Sequence, residues 1–314
     1  MSISNAPAPV IPAVDREAVV AELSRDRLVR SFRGLDIYAV HAAGAPNVMR
    51  EVGRIREVEF RRGGGGTGKE ADIDSFDLSD PGFMQLVAWD PETSEIVAMY
   101  RYAFLESLVS AGISSPTLKL FEPRDGFEND LLPYTIELGR SVVNSSAKRA
   151  LRGLHAVWGG LGAMVAELPT MRYFFGKVTM YPTFDAQARA AIYSVLETYF
   201  PPQKSYLRPR PEYAFEETSS AEGFEPAGDS LRADWARLID FVKTRGETIP
   251  PLFVSYTELS DTMQVFGSAV NGHFGDVIET AVAVRIPDIK KRIKGIFVES
   301  HTNLGNKALI AGRS

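Results

Sequence analysis

The chain has 314 residues, 45% of them apolar and 24% charged, which is enough to bury a sizeable core in two domains or in one elaborated α/β domain. It contains no cysteine, which removes disulfides, thiolate nucleophiles and zinc–thiolate centres together. A formal net charge of −5 gives no basic field for nucleic acid, and the four histidines (His41, His155, His273, His301) never stand at helical ligand spacing, so neither a nucleic-acid partner nor a metal is expected.

Residues 1–14 are rich in alanine and proline and lack both a basic start and a long apolar run. They read as a disordered lead-in rather than a signal peptide. No stretch approaches the roughly 20 apolar residues that span a bilayer, so a cytoplasmic protein is expected, or one on the inner face of a membrane. A short amphipathic helix is predicted over 15–28 and a strand over 35–40. Over 47–62 the apolar residues Val48, Val52, Ile55 and Val58 recur at steps of four, three and three between charged ones, the pattern of a helix with one buried face. Glycines break it at 63–68, and an acidic loop with Asp72, Asp74, Asp77 and Asp80 follows. Strands over 83–89 and 96–104 flank the turn Asp90-Pro91-Glu92-Thr93-Ser94 as a hairpin.

A further strand is predicted over 134–143, a helix over 146–168, an aromatic strand over 172–180 and a helix over 186–200. The section 201–228 reads as an excursion, 231–244 as a helix, and 250–266, 279–286 and a basic tail complete the chain. Strands and helices mixed in this order give a mixed sheet with helices on its faces. A lead-in (1–14), a core (15–200), and an insertion plus C-terminal extension (201–314) completing the same domain are the expected divisions.

Several chemistries are excluded. Residues 63–69 (Gly-Gly-Gly-Gly-Thr-Gly-Lys) match a phosphate-binding loop up to its lysine, but Glu70 stands where Ser or Thr must bind magnesium. The glycines also follow a helix instead of a strand. No Gly-x-Ser-x-Gly elbow exists for a serine hydrolase, and no histidine has an aspartate five positions on to activate a hydroxyl for esterification.

Four clusters remain: Arg56-x-x-x-Phe60, Asp72-x-Asp74-x-Phe76-Asp77, Tyr100-Arg101-Tyr102 and Glu137-Leu138-Gly139-Arg140-Ser141. In this order they resemble the acyl-homoserine-lactone synthases. They are closer still to the hemolysin-like N-acyltransferases that make lyso-ornithine and lyso-glycine lipids, also of the GNAT superfamily. Trp158-Gly159-Gly160-Leu161, the segment 173–180, and 249–253 with Tyr256 extend the resemblance over roughly residues 40–285.

The resemblance implies an α/β fold with a GNAT-type mixed, splayed sheet flanked by helices, with C-terminal elaboration. It implies transfer of a long fatty acyl group from acyl carrier protein, or from an acyl-CoA thioester, to the α-amine of an amino acid for lipid synthesis. The rival readings are a signal synthase making acyl-homoserine lactones and a non-catalytic GNAT-fold protein that holds acyl carrier protein. By the same resemblance Glu137 is a base or amine-orienting carboxylate, the alternative being an ion pair with Arg140 that only ties the sheet. Arg101 and Arg140 contact an acidic partner or a substrate carboxylate. Asp72, Asp74 and Asp77, beside Arg56, form an amine-binding and loop-closing cluster, and Phe60 and Phe76 line an acyl cleft. Val142, Arg149, Arg152 and Gly153 face the donor.

Elementary geometry adds to this. In a regular strand Glu137 and Arg140 face opposite sides, but a bulge near Gly139 brings both to one face and frees backbone N–H groups around Ser141 and Val143 for a thioester oxygen. The superfamily's pyrophosphate loop needs a glycine where Arg152 stands, which favours acyl carrier protein over coenzyme A, docked on Lys148, Arg149 and Arg152. An α-amine, with a pKa near ~7.7–8.0, is about a tenth neutral at pH 7, so a carboxylate acting through water suffices as base. Direct attack without a covalent enzyme intermediate is expected. Residues 63–77 are expected to act as a mobile lid. The tail 285–297 carries Ile286, Ile289, Ile293 and Ile296 beside Lys290, Lys291, Arg292 and Lys294, and either lies on an anionic membrane or packs on the body.

Overall fold

The computed structural model describes residues 7–305 and 307–310. The strands in chain order are β1 (Leu28–Phe32), β2 (Leu35–Val40), β3 (Met84–Asp90), β4 (Glu95–Phe104), β5 (Phe121–Pro123), β6 (Thr135–Val143), β7 (Tyr173–Met180), β8 (Leu207–Pro209), β9 (Ala214–Phe215), β10 (Gln264–Asn271) and β11 (Val277–Arg285). The α-helices are α1 (Arg16–Glu22), α2 (Pro46–Arg62), α3 (Ser75–Leu78), α4 (Leu105–Ser110), α5 (Ala150–Glu167), α6 (Ala186–Tyr199), α7 (Leu231–Thr244), α8 (Pro251–Leu259) and α9 (Lys291–Phe297). The chain divides into two compact units, the first from the described residues of Met1–Ser115, Tyr134–Met171 and Lys291–Ser314, the second from Pro116–Pro133 and Arg172–Lys290.

The first unit is an antiparallel sheet in the order β1-β2-β3-β4-β6. All seven residues of β3 are buried, the pattern of a strand covered on both faces. Helix α2 covers one face. Pro46 starts it, where a missing N–H costs nothing, and Val48, Met49, Val52 and Ile55 pack against Val87, Met99 and Val142. Helix α5 covers the other face, where Gly153 lets it approach closely: a Cβ there would lie 2.9 Å from the Ala98 Cβ.

The C-terminal segment completes this face. Phe297 packs beside Phe32 and Trp158. The buried Arg30 donates to Phe297 O at 2.8 Å and to Ser300 O at 3.0 Å, Tyr102 donates its hydroxyl to Leu309 O at 3.1 Å, and His301 meets Glu167 at 2.6 Å.

The second unit holds the antiparallel order β7-β11-β10-β9 and the separate pair β5-β8. Helix α6, capped by Asp185 accepting from Ala188 N, brings the Tyr193 hydroxyl within 3.3 Å of Thr280 on β11. The excursion at 201–228 supplies β8 and β9.

Several local expectations change. The helix expected over 15–28 ends at Glu22, and residues 28–32 form an edge strand instead. The segment 250–266 divides into α8 and the start of β10. Residues 1–6 of the expected lead-in lie outside the described residues, whereas 7–14 run along the loop that follows α2: Ala8 N donates to Gly68 O at 2.9 Å and Ile11 N to Glu70 O at 3.0 Å. In the basic tail Ile286, Ile289 and Ile293 are buried, so most of its apolar stripe is spent inside the fold.

Candidate functional site

The site is built in the first unit from the row of side chains on the α2 face of the sheet. Arg56 faces inward from α2 and is 0% exposed, as is Asp77. The guanidinium donates to both Asp77 carboxylate oxygens at 3.2 Å and also to Gln85 on β3. Gln85 in turn donates to Asp77 Oδ1 at 2.9 Å. Arg101 on β4 spans Asp74, at 2.9 Å, and Asp77, at 3.3 Å. Arg140 on β6 grips Asp72 at 2.8 and 3.2 Å.

The acidic segment reaches this position through its own helix start. Asp74 is the N-cap of α3, accepting from the N–H groups of Phe76 and Asp77, while Asp77 accepts from Asp74 N. Further back, Asp72 N donates to Gly53 O at 2.9 Å, and Ile73 lies so close to α2 that a Cβ on Gly53 would stand 2.5 Å from it.

Three guanidiniums therefore alternate with three carboxylates. Burial pushes the Asp77 carboxyl up, but Arg56 and Arg101 outweigh it and hold the group well below the usual carboxylate range. Burial likewise lowers Arg56 from its ordinary value, opposed by Asp77 and Asp72. In Arg101 the order reverses: Asp77, Asp74 and Asp72 outweigh burial, and the guanidinium is raised. The carboxylates of Asp72 and Asp77 are committed to arginines, and Asp74 alone of the three keeps a partly exposed side chain, at 25%.

The β4–β6 register explains how β6 serves this row. Arg101 pairs with Gly139 and Ala103 with Glu137, whereas Met99 pairs with Val142, so one extra residue is inserted opposite Tyr100. The bulge is the one anticipated near Gly139, but its positive φ, 54°, falls on Arg140. A left-handed conformation at a non-glycine residue costs on the order of 1–3 kcal/mol and persists only where the surroundings hold it; the paired grip on Asp72 is such a hold. The result is that Glu137, Arg101 and Arg140 lie on one face of the sheet. Glu137 is buried, at 1% exposure, in the strand that also carries Ser141 and Val143.

The remaining candidates scatter. Phe60 is half-buried with the Arg140 guanidinium 5.5 Å from its ring centre, whereas Phe76 is core, packed with Phe83, Ala103 and Leu108. Val142 joins the core under α2. Arg149 is engaged with Glu92, Asp90 and Gly34 O, Arg152 reaches Arg33 O at 3.4 Å, and Gly153 faces the sheet.

The glycine-rich stretch is pinned by Glu57, which accepts from Thr67 N, Thr67 Oγ1 and Gly68 N. In the stretch expected to act as a lid, the glycines find a partner in this neighbouring carboxylate, and Asp74 and Asp77 pair with Arg101 and Arg56. Gln85 and Glu57 went unnoticed in the sequence. A lone glutamine inside the apolar run 83–89 was the available signal, since a buried amide needs partners.

The mixed α/β fold with a polar row beside a bulged strand fits the GNAT-type acyltransferase that the motifs resemble, and comparison with known proteins shows the class. Residues 55–158 match the model of the acetyltransferase (GNAT) domain. The chain is 38% identical to the glycine N(alpha)-acyltransferase of Bacteroides thetaiotaomicron over 307 residues, 93% of this chain and 91% of that protein. It is 37% identical to the protein of the same name from Phocaeicola vulgatus over 307 residues, 93% of this chain and 94% of that one. Among solved structures the AHL synthase LasI matches with a TM-score of 0.44 and 10% identity, over 86% of this chain and 98% of the other. The chain belongs to the GNAT-type acyltransferase family that these two relatives represent. Its activity is the transfer of an acyl group to nitrogen. Among the described residues no helix is long and apolar enough to cross a membrane.

Proposed function

We propose that this acyltransferase moves a long-chain fatty acyl group from acyl carrier protein to the α-amine of glycine, yielding an acylated amino acid for lipid synthesis. The observation that carries the choice of acceptor is the match, over more than nine-tenths of the chain, to two proteins named for acylating that amine.

The chemistry needs few groups. A neutral amine attacks the thioester carbon, a C–N bond forms, the C–S bond breaks, and the thiolate leaves to take up a proton. The ammonium proton released on attack goes to a base, and Glu137 is the carboxylate on the polar face that is suited to accept it, directly or through water. All three aspartates pair with arginines, and Asp74 alone of them is partly exposed, so the task of attracting the acceptor's ammonium is assigned to Asp74, with Glu137 beside it on the same face. The backbone N–H groups around the β6 bulge, at Ser141 and Val143, are the donors for the oxyanion. Arg101 and Arg140 act through the carboxylates they hold. Arg149, Arg152 and Lys148 contribute the cationic surface for an acidic carrier.

The purified enzyme, offered glycine, ornithine and serine with acyl carrier protein or coenzyme A as donor, tests this. N-acylglycine forming fastest from the carrier-bound donor is the expected result. Equal turnover from both donors, or preference for another amine, removes that part of the proposal.

A further inference from the structure

Glu57 follows Arg56 on α2, yet the two side chains serve different ends of one loop. Arg56 holds Asp77, while Glu57, 0% exposed, receives Thr67 N at 3.0 Å, Thr67 Oγ1 at 2.7 Å, Gly68 N at 2.9 Å and Arg61 Nε at 2.8 Å. Between these ends, Gly53 O receives Asp72 N. Residues 53, 56 and 57 of one helix thus fasten the segment 63–77 at its start, middle and end. Arg61 adds a second layer: it donates to Lys69 O at 2.6 Å and to Ala8 O at 2.8 Å, where the extended chain of residues 8–11 pairs with 68–70.

The sequence shows why a carboxylate does this work. Residues 63–68 hold five glycines and one threonine, so the loop has no large apolar side chain with which to pack, and ordering glycine is entropically expensive. Hydrogen bonds to a charged acceptor are the available fastening and are stronger than neutral ones. Burial pushes the Glu57 carboxyl up, but Thr67 and Arg61 outweigh it and keep the group below its ordinary value, so it is charged at neutral pH.

We propose that Glu57 is a positioning residue for the amine acceptor: its carboxylate sets the course of residues 63–77 and so seats Asp72, Asp74 and Asp77 against Arg56, Arg101 and Arg140. The inference rests on the reading that this acidic segment borders the acceptor site.

Steady-state kinetics with both substrates, together with hydrogen exchange, test it in Glu57→Gln and in the milder Thr67→Val. For Glu57→Gln the acceptor KM is expected to rise roughly 10- to 100-fold, the loss of charge-assisted hydrogen bonds, while the donor KM stays within about twofold. Amides of 67–73 should exchange faster while those of β3 and β4 stay protected. Thr67→Val keeps the carboxylate and removes the hydroxyl that donates to Glu57 and accepts from Lys69 N, so it should move the same quantities in the same direction by roughly 2- to 10-fold. Unchanged exchange at 67–73 overturns the anchoring role of Glu57. Faster exchange with an unchanged acceptor KM overturns the placement of the segment beside the acceptor. Equal rises in both KM values with exchange quickened everywhere reduce Glu57 to a general stabiliser.

Discussion

Arg56, Arg101 and Arg140 lie under the acidic segment with side chains at most 15% exposed, whereas Arg149 stands at the start of α5, is 21% exposed, and divides itself between Glu92, 69% exposed, and the buried Asp90. Both groups are arginines on acids, both lie in the first unit, and both were read from sequence as functional. The energetic consequences differ because solvent differs. Removing one partner of a buried pair strands a charge where water cannot reach it, at about 3–5 kcal/mol, while an exposed pair contributes about 0–1 kcal/mol. The buried arginines therefore fix geometry, Arg149 also holds the buried Asp90, and the exposed Arg152 is left to serve encounter.

That contrast can be broken experimentally. The largest effect is expected for Arg56→Met, which leaves Asp77 and Gln85 without their shared donor; urea unfolding should show a loss of about 3–5 kcal/mol. A loss under 1 kcal/mol would place Arg56 with the surface pairs. Next, Glu137→Gln removes a proton acceptor and almost no volume, so turnover should fall roughly 10- to 1000-fold with the urea midpoint unmoved. Full activity in the folded variant removes Glu137 from the reaction.

The buried network should also declare itself in acid. Asp77 is depressed in the folded protein, so it contributes stability above its unfolded value, near ~3.9, and that contribution is lost as pH falls from there toward the depressed folded value. Unfolding free energy measured from pH 7 downward should hold nearly level to about pH 5 and then decline, and Asp77→Asn should flatten that decline. The smallest effect belongs to the exposed Arg152→Gln: an unmoved urea midpoint, and a rise in the carrier donor's KM that shrinks as salt is raised. A salt-independent rise would mean that Arg152 acts by shape instead of charge.

Much of the scaffold was legible because periodicity reports burial. The strand at 35–40 and the helix at 231–244 have the bounds the pattern gives, and α2 begins one residue before its predicted start. What periodicity hid were polar residues that break its rule. Glu57 reads as the solvated side of an amphipathic helix, yet it is 0% exposed because the loop after α2 folds back over that side, while Arg56, 0% exposed as well, spends its charge facing inward on Asp77 and Gln85. No local pattern encodes a return made by a segment whose contacts lie 10 and 11 positions further on. The same blindness hid β1, whose buried Arg30 falls in the stretch between the helix expected over 15–28 and the strand over 35–40. The β6 bulge was accessible from the opposite direction, since two charged residues three apart needed a reason to share one face.

Arg30 also ties the fold to the order in which the chain is made. Its guanidinium is buried against the carbonyl of Phe297, 267 positions later. At about 5–20 residues per second, a ribosome needs roughly 10 to 50 seconds to deliver that acceptor after Arg30 has emerged. Until then the edge of the first sheet carries a cation left with the Gly159 carbonyl at 3.4 Å and an apolar face that α5 covers without Phe297. Nascent chains halted shortly before Phe297 should accordingly stay protease-sensitive along β1 and β2, and those halted beyond Leu309 should not.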